Sequence, residues 1–210
     1  MDLSAPAASV VPSVRARVLS VLAGADTGLT GRRVAALAGA SVAGGARILE
    51  SLVSGGVVHR VDAGSASLYT LNRDHVGAPA VLALAGMRAE LHRRMRELIA
   101  QFELPPLSAV LFGSAARGDG DEDSDIDLLL VRPIGVDEDD EIWVDDVERL
   151  SERVLSWSGN LLATIQYDLD ELERRSMRGP AFLKRVETEG VVLHGAALSS
   201  VIRHAKASRR

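Results

Sequence analysis

The chain contains no cysteine, which excludes disulfide bonds, thiol catalysis and cysteine-ligated zinc. Aromatic residues make up only 3% of the composition, so leucine, valine and alanine must build the hydrophobic core. No basic residue precedes Arg15, so the front of the chain does not read as a secretory signal. The longest apolar run, residues 76–87, is shorter than the roughly 20 residues of a membrane span. These absences predict a cytoplasmic protein with no membrane segment.

The charge of the chain is unevenly distributed. Its 210 residues suffice for one large domain or two small ones. Residues 1–75 carry seven arginines and five acidic residues, whereas residues 76–210 carry 17 basic and 24 acidic residues. The front is therefore mildly basic and the back acidic, which suggests two parts with different partners, although so small an excess also arises by chance.

The first third of the chain has the pattern of three helices followed by a hairpin. Apolar residues at steps of three and four predict the helices over residues 14–53, with Thr30 and Ser41 as N-caps of the second and third. A glycine follows each helix. Two β-like runs, residues 57–61 and 68–71, flank a turn-rich stretch and predict a β-hairpin.

This order of elements, over residues 12–75, resembles the winged helix-turn-helix of small bacterial transcription regulators. The resemblance implies that the third helix enters the DNA major groove and that the hairpin wing lies near the backbone. The side chains that would then face DNA are Arg32, Arg33, Ser41, Arg47, His59 and Arg60. The alternative is that they are solvated residues of a protein–protein module. Gly44 and Gly45 depart from a strong third helix, because two glycines cost about 2 kcal/mol of helix propensity.

The next segment predicts one long amphipathic helix. Pro79 can occupy its first turn, and apolar residues then recur at helical steps as far as Phe102. We interpret residues 76–104 as a connector helix that packs on one or both domains or forms the seam of a homodimer. A second domain over residues 105–197 and a basic tail over residues 198–210 complete the predicted organisation.

A buried-strand pattern, residues 108–112, runs directly into Gly113 and Ser114. Glycine lets the backbone approach a phosphate closely, and a helix starting there would offer free N–H groups to an anion. The Ser114 hydroxyl can add a donor, and Arg117 lies one turn further on. This strand end is therefore a candidate phosphate site.

Asp125 and Asp127 are two residues apart at the start of a second strand pattern, so both side chains are expected on one face. Two carboxylates about 5 Å apart repel by roughly 3 kcal/mol at an effective dielectric near 20. A divalent cation relieves that repulsion. Mg²⁺ in particular favours a few carboxylates together with phosphate oxygens and water.

The combination of these motifs resembles the signature of the DNA polymerase β-like nucleotidyltransferase superfamily, most closely its small prokaryotic "minimal" members. The resemblance covers about residues 105–195 and implies an α+β protein whose C-terminal domain is a mixed sheet flanked by helices. It implies Mg²⁺ as cofactor, an NTP such as ATP as substrate or ligand, and Asp125 and Asp127 as catalytic and metal-binding residues. The residues implied to bind the nucleotide are Gly113, Ser114, Arg117 and Ser124.

One element of the superfamily pattern is not evident. Active members carry a third carboxylate on a neighbouring strand, and the candidate strand here, residues 161–167, contains no acidic residue. Asp168, just beyond it, is the candidate third acid if the register allows. The other expectation is that Ala163 or Thr164 occupies that place. Loss of general-base assistance costs about 10²–10⁴-fold in rate, so whether the chain is an enzyme stays open.

Three functions follow from these patterns. The first is an enzyme that transfers a nucleoside monophosphate from an NTP to a hydroxyl of a protein, an RNA or a small molecule. A protein acceptor is what the resemblance to minimal members of toxin–antitoxin systems implies. The second is a weak or inactive nucleotidyltransferase-fold protein that binds an operator and senses a nucleotide. The third is an inert scaffold for oligomerisation.

Overall fold

The computed structural model describes residues 1–64, 66–178 and 180–207, and within them it contains eleven helices and two β-sheets. The predicted α+β class is thereby confirmed. Contacts divide the chain into two units: residues 4–88 with Asp2, and residues 89–210 with Met1 and Leu3. Each unit buries its own hydrophobic residues and is described by itself.

The first unit is mostly helical, with one small antiparallel sheet of strand order β1-β3-β2. Its elements in chain order are α1 (Pro6–Val10), α2 (Val14–Ala23), β1 (Leu29–Thr30), α3 (Gly31–Leu37), α4 (Val42–Ser54), β2 (Val58–Ala63), β3 (Ala66–Leu71) and α5 (Ala78–Ala85). The predicted caps are confirmed, since Thr30 accepts from the Arg33 amide and Ser41 from the Gly44 amide. The predicted hairpin is also confirmed as β2 and β3, while Ser65 in its turn lies outside the described residues.

The two glycines in α4 have separate surroundings. A Cβ atom on Gly45 would lie 2.7 Å from the Cβ of Ala35, a separation that real side chains do not tolerate. Gly45 therefore permits the close approach of α3 and α4. Gly44 donates its amide to the cap hydroxyl of Ser41 at 3.1 Å. The helix-propensity cost of Gly45 is thus offset by packing that only glycine allows.

The predicted connector is not a single helix. It is broken at Gly86 into α5 and a further helix, α6 (Met87–Ile99), so the expectation of one uninterrupted element over residues 76–104 is wrong. Gly86 is the C-cap of α5 and donates its amide to the Leu82 carbonyl. Glycine is the poorest helix former after proline, so a break at this residue is inexpensive. The division between the two units falls close to it, after Arg88.

The second unit is built on a four-stranded sheet of order β6-β5-β4-β7, in which only the β5–β6 pair is parallel. After α6, its elements are β4 (Ser108–Phe112), α7 (Gly113–Arg117), β5 (Ile126–Val131), α8 (Glu141–Ser158), β6 (Leu162–Tyr167), α9 (Leu169–Arg178), α10 (Pro180–Glu189), β7 (Val191–Gly195) and α11 (Leu198–Ala207).

This sheet is buried on both faces, as expected for the continuous apolar run of β5. On one face Leu128 and Leu130 belong to a core that includes Trp143 of α8 and Met95 of α6. On the other face the alternate residues of β4 and β5 meet the C-terminal helices. That second core contains Val110, Leu129, Val131, Leu172, Leu183, Val186, Leu198 and Val201.

The predicted basic tail begins as part of the fold. Leu198 and Val201 are buried in the second core, so apolar contacts hold the start of α11. Residues 208–210 of the tail lie outside the described residues.

Across the part of the chain that the structure describes, no single helix is both long enough and apolar enough to cross a membrane. Only α3 and α4 taken together meet that criterion, by length and composition, and they are bent by 111° to each other.

Candidate functional site

The centre of the candidate site is the contact between Gly113 and Asp127. Gly113 follows β4 with a φ of +66°, a conformation that glycine adopts without strain. A Cβ atom at this position would lie 2.2 Å from the Oδ2 atom of Asp127. The strands explain the proximity, because Phe112 is the register partner of Asp127. The two halves of the sequence motif therefore meet in space, as the sequence predicted.

Asp125 and Asp127 act on each other electrostatically. Burial raises the pKa of the Asp127 carboxyl above its ordinary value, the neighbouring charge of Asp125 raises it further, and Arg117 opposes both. Asp127 is half-buried and Asp125, just before β5, is exposed. The pair thus forms an oxygen-rich edge with unrelieved repulsion, which is the electrostatic setting that a cation stabilises.

The third acid is not supplied by Asp168. In the parallel β5–β6 pair the register partner of Asp127 is Ala163, and Asp168 follows five residues later. That separation corresponds to about 16 Å along a strand, so Asp168 lies at the opposite end of β6 and this candidate is wrong. It accepts instead from the Glu171 amide at 2.7 Å, at the start of α9. Within the described residues, no group of three or more His, Cys, Asp or Glu side chains could hold a metal ion.

Arg117 lies beside the site but is engaged by carboxylates. Its guanidinium pairs with Asp119 at 3.0 Å and with Glu189 of α10 at 3.2 Å. These hydrogen bonds raise the pKa of Arg117 further above its ordinary value. Its charge still reaches Asp127, as the opposing effect on that carboxyl shows. These two bonds use Nε and Nη1, so the Nη2 atom still has N–H groups that can donate to a phosphate.

The two predicted serine ligands differ in their surroundings. A Cβ atom on Gly120 would lie 2.8 Å from the Ser114 Oγ atom, so the backbone of the acidic loop covers that hydroxyl. Ser124 donates to Asp121 Oδ1 at 2.6 Å and accepts from the Asp121 amide, so it closes the loop on itself. The helix α7 is only five residues long, and its dipole is correspondingly weak.

Asn160 supports the site, and sequence reasoning missed it. The side chain is 2% exposed and its amide nitrogen donates to the carbonyls of Ser124 at 2.9 Å and Glu122 at 3.2 Å. It therefore fixes the loop that leads into Asp125. A single asparagine after a helix gives no sequence signal of such a role, because its partners are 36 and 38 residues away.

A cavity of about 220 Å³ opens beside Gly113. Its lining combines the strand end with α10, and its residues are Phe112, Gly113, Arg117, Phe182, Arg185, Val186 and Glu189. Arg117 is paired with Glu189 within this lining, and Arg185 is its other cationic side chain. The opening is the place where an anion could approach the Gly113 backbone.

The residues predicted to face DNA belong to the other unit. Arg32, Arg33, Arg47 and His59 are exposed on α3, α4 and β2. Arg60 is bound within the hairpin to Asp62 and Ser67. The Ser41 hydroxyl is used as the N-cap of α4. Arg60 and Ser41 are therefore engaged within the unit, whereas the other four predicted side chains are exposed at its surface.

Comparison with known proteins bears on the second unit. Residues 92–190 match the family model described as "Nucleotidyltransferase domain". No curated protein matches the chain. Among solved structures, "Crystal structure of the toxin-antitoxin with AMP-PNP" is similar at 17% identity and a TM-score of 0.37, covering 56% of this chain and 86% of that one.

A second solved structure, a mutant of the toxin–antitoxin pair MntA-HpeT, is similar at 14% identity and a TM-score of 0.36, covering 56% of this chain and 85% of that one. The match of the family model agrees with the motif and with the mixed sheet that carries it. The family match thus agrees with the class of domain that the Gly113, Asp125 and Asp127 pattern predicted for this part of the chain.

Proposed function

We propose that the second unit binds an NTP together with Mg²⁺ and transfers a nucleoside monophosphate to an acceptor hydroxyl. The observation that carries this proposal is the packing of Gly113 against Asp127, with Asp125 acting on the same carboxyl. A phosphate can approach the backbone at Gly113 because no side chain intervenes. Beside Gly113, the Asp127 carboxylate offers oxygen atoms to a cation, and the phosphates of the nucleotide can bind that cation too.

The donor set at this edge fits a magnesium ion. Asp125 and Asp127 supply oxygen ligands only. Burial, and after it the charge of Asp125, raises the pKa of Asp127, and a cation would offset both effects on the carboxylate. Mg²⁺ takes one or two carboxylates and completes its shell with phosphate oxygens and water, so two acids suffice for one ion. When bound, it would neutralise charge on the phosphates.

The transfer is a displacement at phosphorus. The acceptor oxygen bonds to the α-phosphorus of the NTP, the bond from that phosphorus to the bridging oxygen breaks, and pyrophosphate leaves with the electron pair. The hydroxyl proton passes to water, since Ala163 stands in register with Asp127 and offers no base. Arg117 and Arg185 line the opening beside Gly113 and would hold phosphate oxygens.

A second candidate function is nucleotide sensing without efficient turnover. It is favoured by one observation, that the strand beside Asp127 presents Ala163 where the superfamily pattern expects an acid. Without a base the transfer loses about 10²–10⁴-fold, while nucleotide and metal binding remain. The two candidates share the same pocket and differ only in whether phosphate is transferred.

Calorimetry with a nonhydrolysable ATP analogue and Mg²⁺ tests the shared pocket. We expect binding by the native chain and its loss in Asp125→Ala/Asp127→Ala. The matched control is Asp137→Ala/Asp139→Ala, which removes two exposed carboxylates at the same spacing outside the site. Equal binding by both double variants would contradict the proposal. Incubation with α-labelled ATP then separates the two candidates, because only transfer leaves label on an acceptor.

We propose that the first unit is a winged helix-turn-helix that binds DNA. Its support is the 111° bend between α3 and α4, which lies in the range of helix-turn-helix pairs, and the hairpin β2–β3 that follows. Exposed Arg47 projects from α4, the helix that would enter the major groove. The guanidinium suits phosphate because it stays charged and can donate to two oxygens.

Fluorescence anisotropy with duplex DNA checks this second proposal. Arg47→Ala should weaken binding and reduce the steepness of the salt dependence by about one unit of slope. Arg73→Ala is the control, because Arg73 lies after β3 and donates to the Ala23 carbonyl within the unit. A native chain that shows no binding at low salt would show that the unit has another role.

A further inference from the structure

A second cavity in this unit, of about 550 Å³, is rich in arginine. Its floor is apolar and comes from β6, while α9 and α10 form its walls. The lining residues are Ile165, Tyr167, Glu171, Arg174, Arg175, Arg178, Phe182 and Leu183. Its volume is within the range of small-ligand sites and is sufficient for a group the size of a mononucleotide.

The cavity lies on the same face of the sheet as Asp127. Asp127 pairs with Ala163 and Leu129 pairs with Ile165, so Ala163 and Ile165 are two residues apart and point to one side. That spacing corresponds to about 7 Å along β6. A ligand bound over Ile165 is therefore two residues along β6 from Ala163, the register partner of Asp127.

The charge of the cavity favours an anion. Three arginines of α9 face one glutamate, Glu171, among its lining residues. Glu171 also lies 3.9 Å from the guanidinium of Arg132, which is 5% exposed and has no hydrogen-bond partner at its Nε and Nη1 atoms. The same guanidinium lies 3.8 Å from Asp168, so Arg132 is shared between two carboxylates. Arg174, Arg175 and Arg178 outnumber the one acidic side chain of the lining, and Arg174 and Arg178 lie one helical turn apart on α9.

Phe182 separates this cavity from the smaller one beside Gly113. Its ring lines both openings and meets Phe112 edge to face, with 5.5 Å between the ring centroids. Phe112 in turn is the register partner of Asp127. The site therefore has two neighbouring compartments on one sheet face, with the Phe182 side chain lining both.

We propose that the larger compartment is the acceptor site and that the acceptor carries a phosphate ester of nucleotide size. This inference rests on the proposed nucleotide transfer and names its acceptor class. The arginines would hold the acceptor phosphate, the apolar floor would receive its remaining body, and its free hydroxyl would face the α-phosphorus of the NTP bound beside Gly113. A free mononucleotide and the terminal nucleotide of a strand share this chemistry.

Equilibrium binding in EDTA tests the compartment without the metal-dependent NTP site. The probes are adenosine 5′-monophosphate, a ten-nucleotide single-stranded RNA, and adenosine as the phosphate-free comparison. We expect a phosphate probe to bind and adenosine to bind at least tenfold more weakly. Arg174→Gln/Arg178→Gln should weaken the phosphate probe at least tenfold. Tighter binding of the RNA than of the mononucleotide assigns the phosphate to a strand, and the reverse assigns it to a small molecule.

The control variant is Arg96→Gln/Arg153→Gln, which makes the same charge change on α6 and α8, the helices that pack on the other face of the sheet. We expect it to bind the probes as the native chain does. Three results would overturn the proposal: no binding of either phosphate probe, equal weakening by both arginine pairs, or equal binding of adenosine. A protein acceptor would give the first of these.

The failure of this inference is distinguishable from failure of the proposed function. Asp125→Asn/Asp127→Asn should abolish binding of the ATP analogue with Mg²⁺ and leave the probes in EDTA unaffected. Arg174→Gln/Arg178→Gln should weaken binding of the phosphate probes in EDTA and leave binding of the ATP analogue with Mg²⁺ unchanged. Probe binding that depends on the aspartates and not on Arg174 and Arg178 would place the probe in the NTP compartment and contradict the acceptor assignment.

Discussion

Gly113 and Asp127 are in contact so close that a single added carbon atom on the glycine would lie 2.2 Å from a carboxylate oxygen of the aspartate. The two residues come from separate strands, and no sequence spacing between them specifies this distance. The contact makes the conformation of the Gly113 turn and the position of the Asp127 carboxylate interdependent.

Substitution Gly113→Ala should therefore damage both stability and binding. The positive φ alone costs an L-residue about 1–2 kcal/mol, and the clash with Asp127 adds to that. Gly135→Ala is the matched control, because Gly135 has a φ of +81° with nothing within 4 Å of a Cβ atom. Chemical denaturation and calorimetry with an ATP analogue would measure the difference. If both variants lost the same stability and affinity, backbone strain alone would explain the effect and the contact with Asp127 would play no part.

The raised pKa of Asp127 has a consequence for stability in the absence of metal. A carboxyl whose folded pKa lies above its unfolded value favours the folded state at pH below 3.8, and that contribution is lost as pH rises through the folded pKa. Asp127→Asn should therefore raise the melting temperature at pH 7, and the gain should vanish towards pH 3.

Thermal unfolding across this pH range, in EDTA, would measure that difference. Asp123→Asn, an exposed residue of the same loop, serves as the control. Added Mg²⁺ should reduce the advantage of the Asp127→Asn variant, because a bound cation relieves the repulsion. A variant less stable than the native chain at pH 7 in EDTA would contradict this account of the site.

An acid placed at Ala163 should strengthen catalysis. Ala163 is the register partner of Asp127 on the neighbouring parallel strand, so Ala163→Asp supplies a carboxylate where a general base is lacking. We expect the rate of nucleotide transfer to rise at least tenfold, within the 10²–10⁴-fold that such bases contribute.

Single-turnover transfer of labelled nucleotide would measure this gain, provided an acceptor is present. Ala163→Asn has nearly the same shape without the charge and should show no increase. Asp168→Asn should leave nucleotide binding unchanged, since Asp168 caps α9 at the far end of β6. If Asp168→Asn abolished binding, the register argument would be wrong.

Asn160 should be a sensitive position although it touches no proposed ligand. Asn160→Ala removes the donor to the carbonyls of Glu122 and Ser124, and a lost hydrogen bond of this kind costs about 0.5–1.5 kcal/mol. Affinity for the ATP analogue should fall as well, because the loop into Asp125 loses its anchor. Asn72→Ala is the comparison, since exposed Asn72 donates to Gly56 in the other unit and should lose less stability. Unchanged affinity with reduced stability would limit Asn160 to a folding role.

Much of the fold could be predicted from local signals. The caps at Thr30 and Ser41, the hairpin over β2 and β3, and the strand pattern leading into Gly113 each depend on residues within a few positions of one another. The break at Gly86 and the burial of Leu198 were not predicted, because an apolar periodicity continues through both regions and does not show which core it joins.

The candidate site likewise has a part that the sequence predicted and a part that it did not. The residues Gly113, Asp125 and Asp127 were identified from type and spacing, because carboxylates two apart on a strand and a glycine at a strand end have few other common uses together. The ion pairs of Arg117 with Glu189, the loop contacts of Asn160 and the arginine cavity of α9 were not visible, since their partners are distant in sequence.

The sequence by itself determined most of the helices and strands, the expected class of the second unit and the aspartate pair of its candidate site. Those properties follow from periodicity, capping and the chemistry of neighbouring side chains. Tertiary structure alone decided that Ala163 and not Asp168 lies beside Asp127, and that Arg174 and Arg178 line a cavity on the same face. Strand register and helix packing are set by contacts across the whole sheet, so no local pattern could fix them.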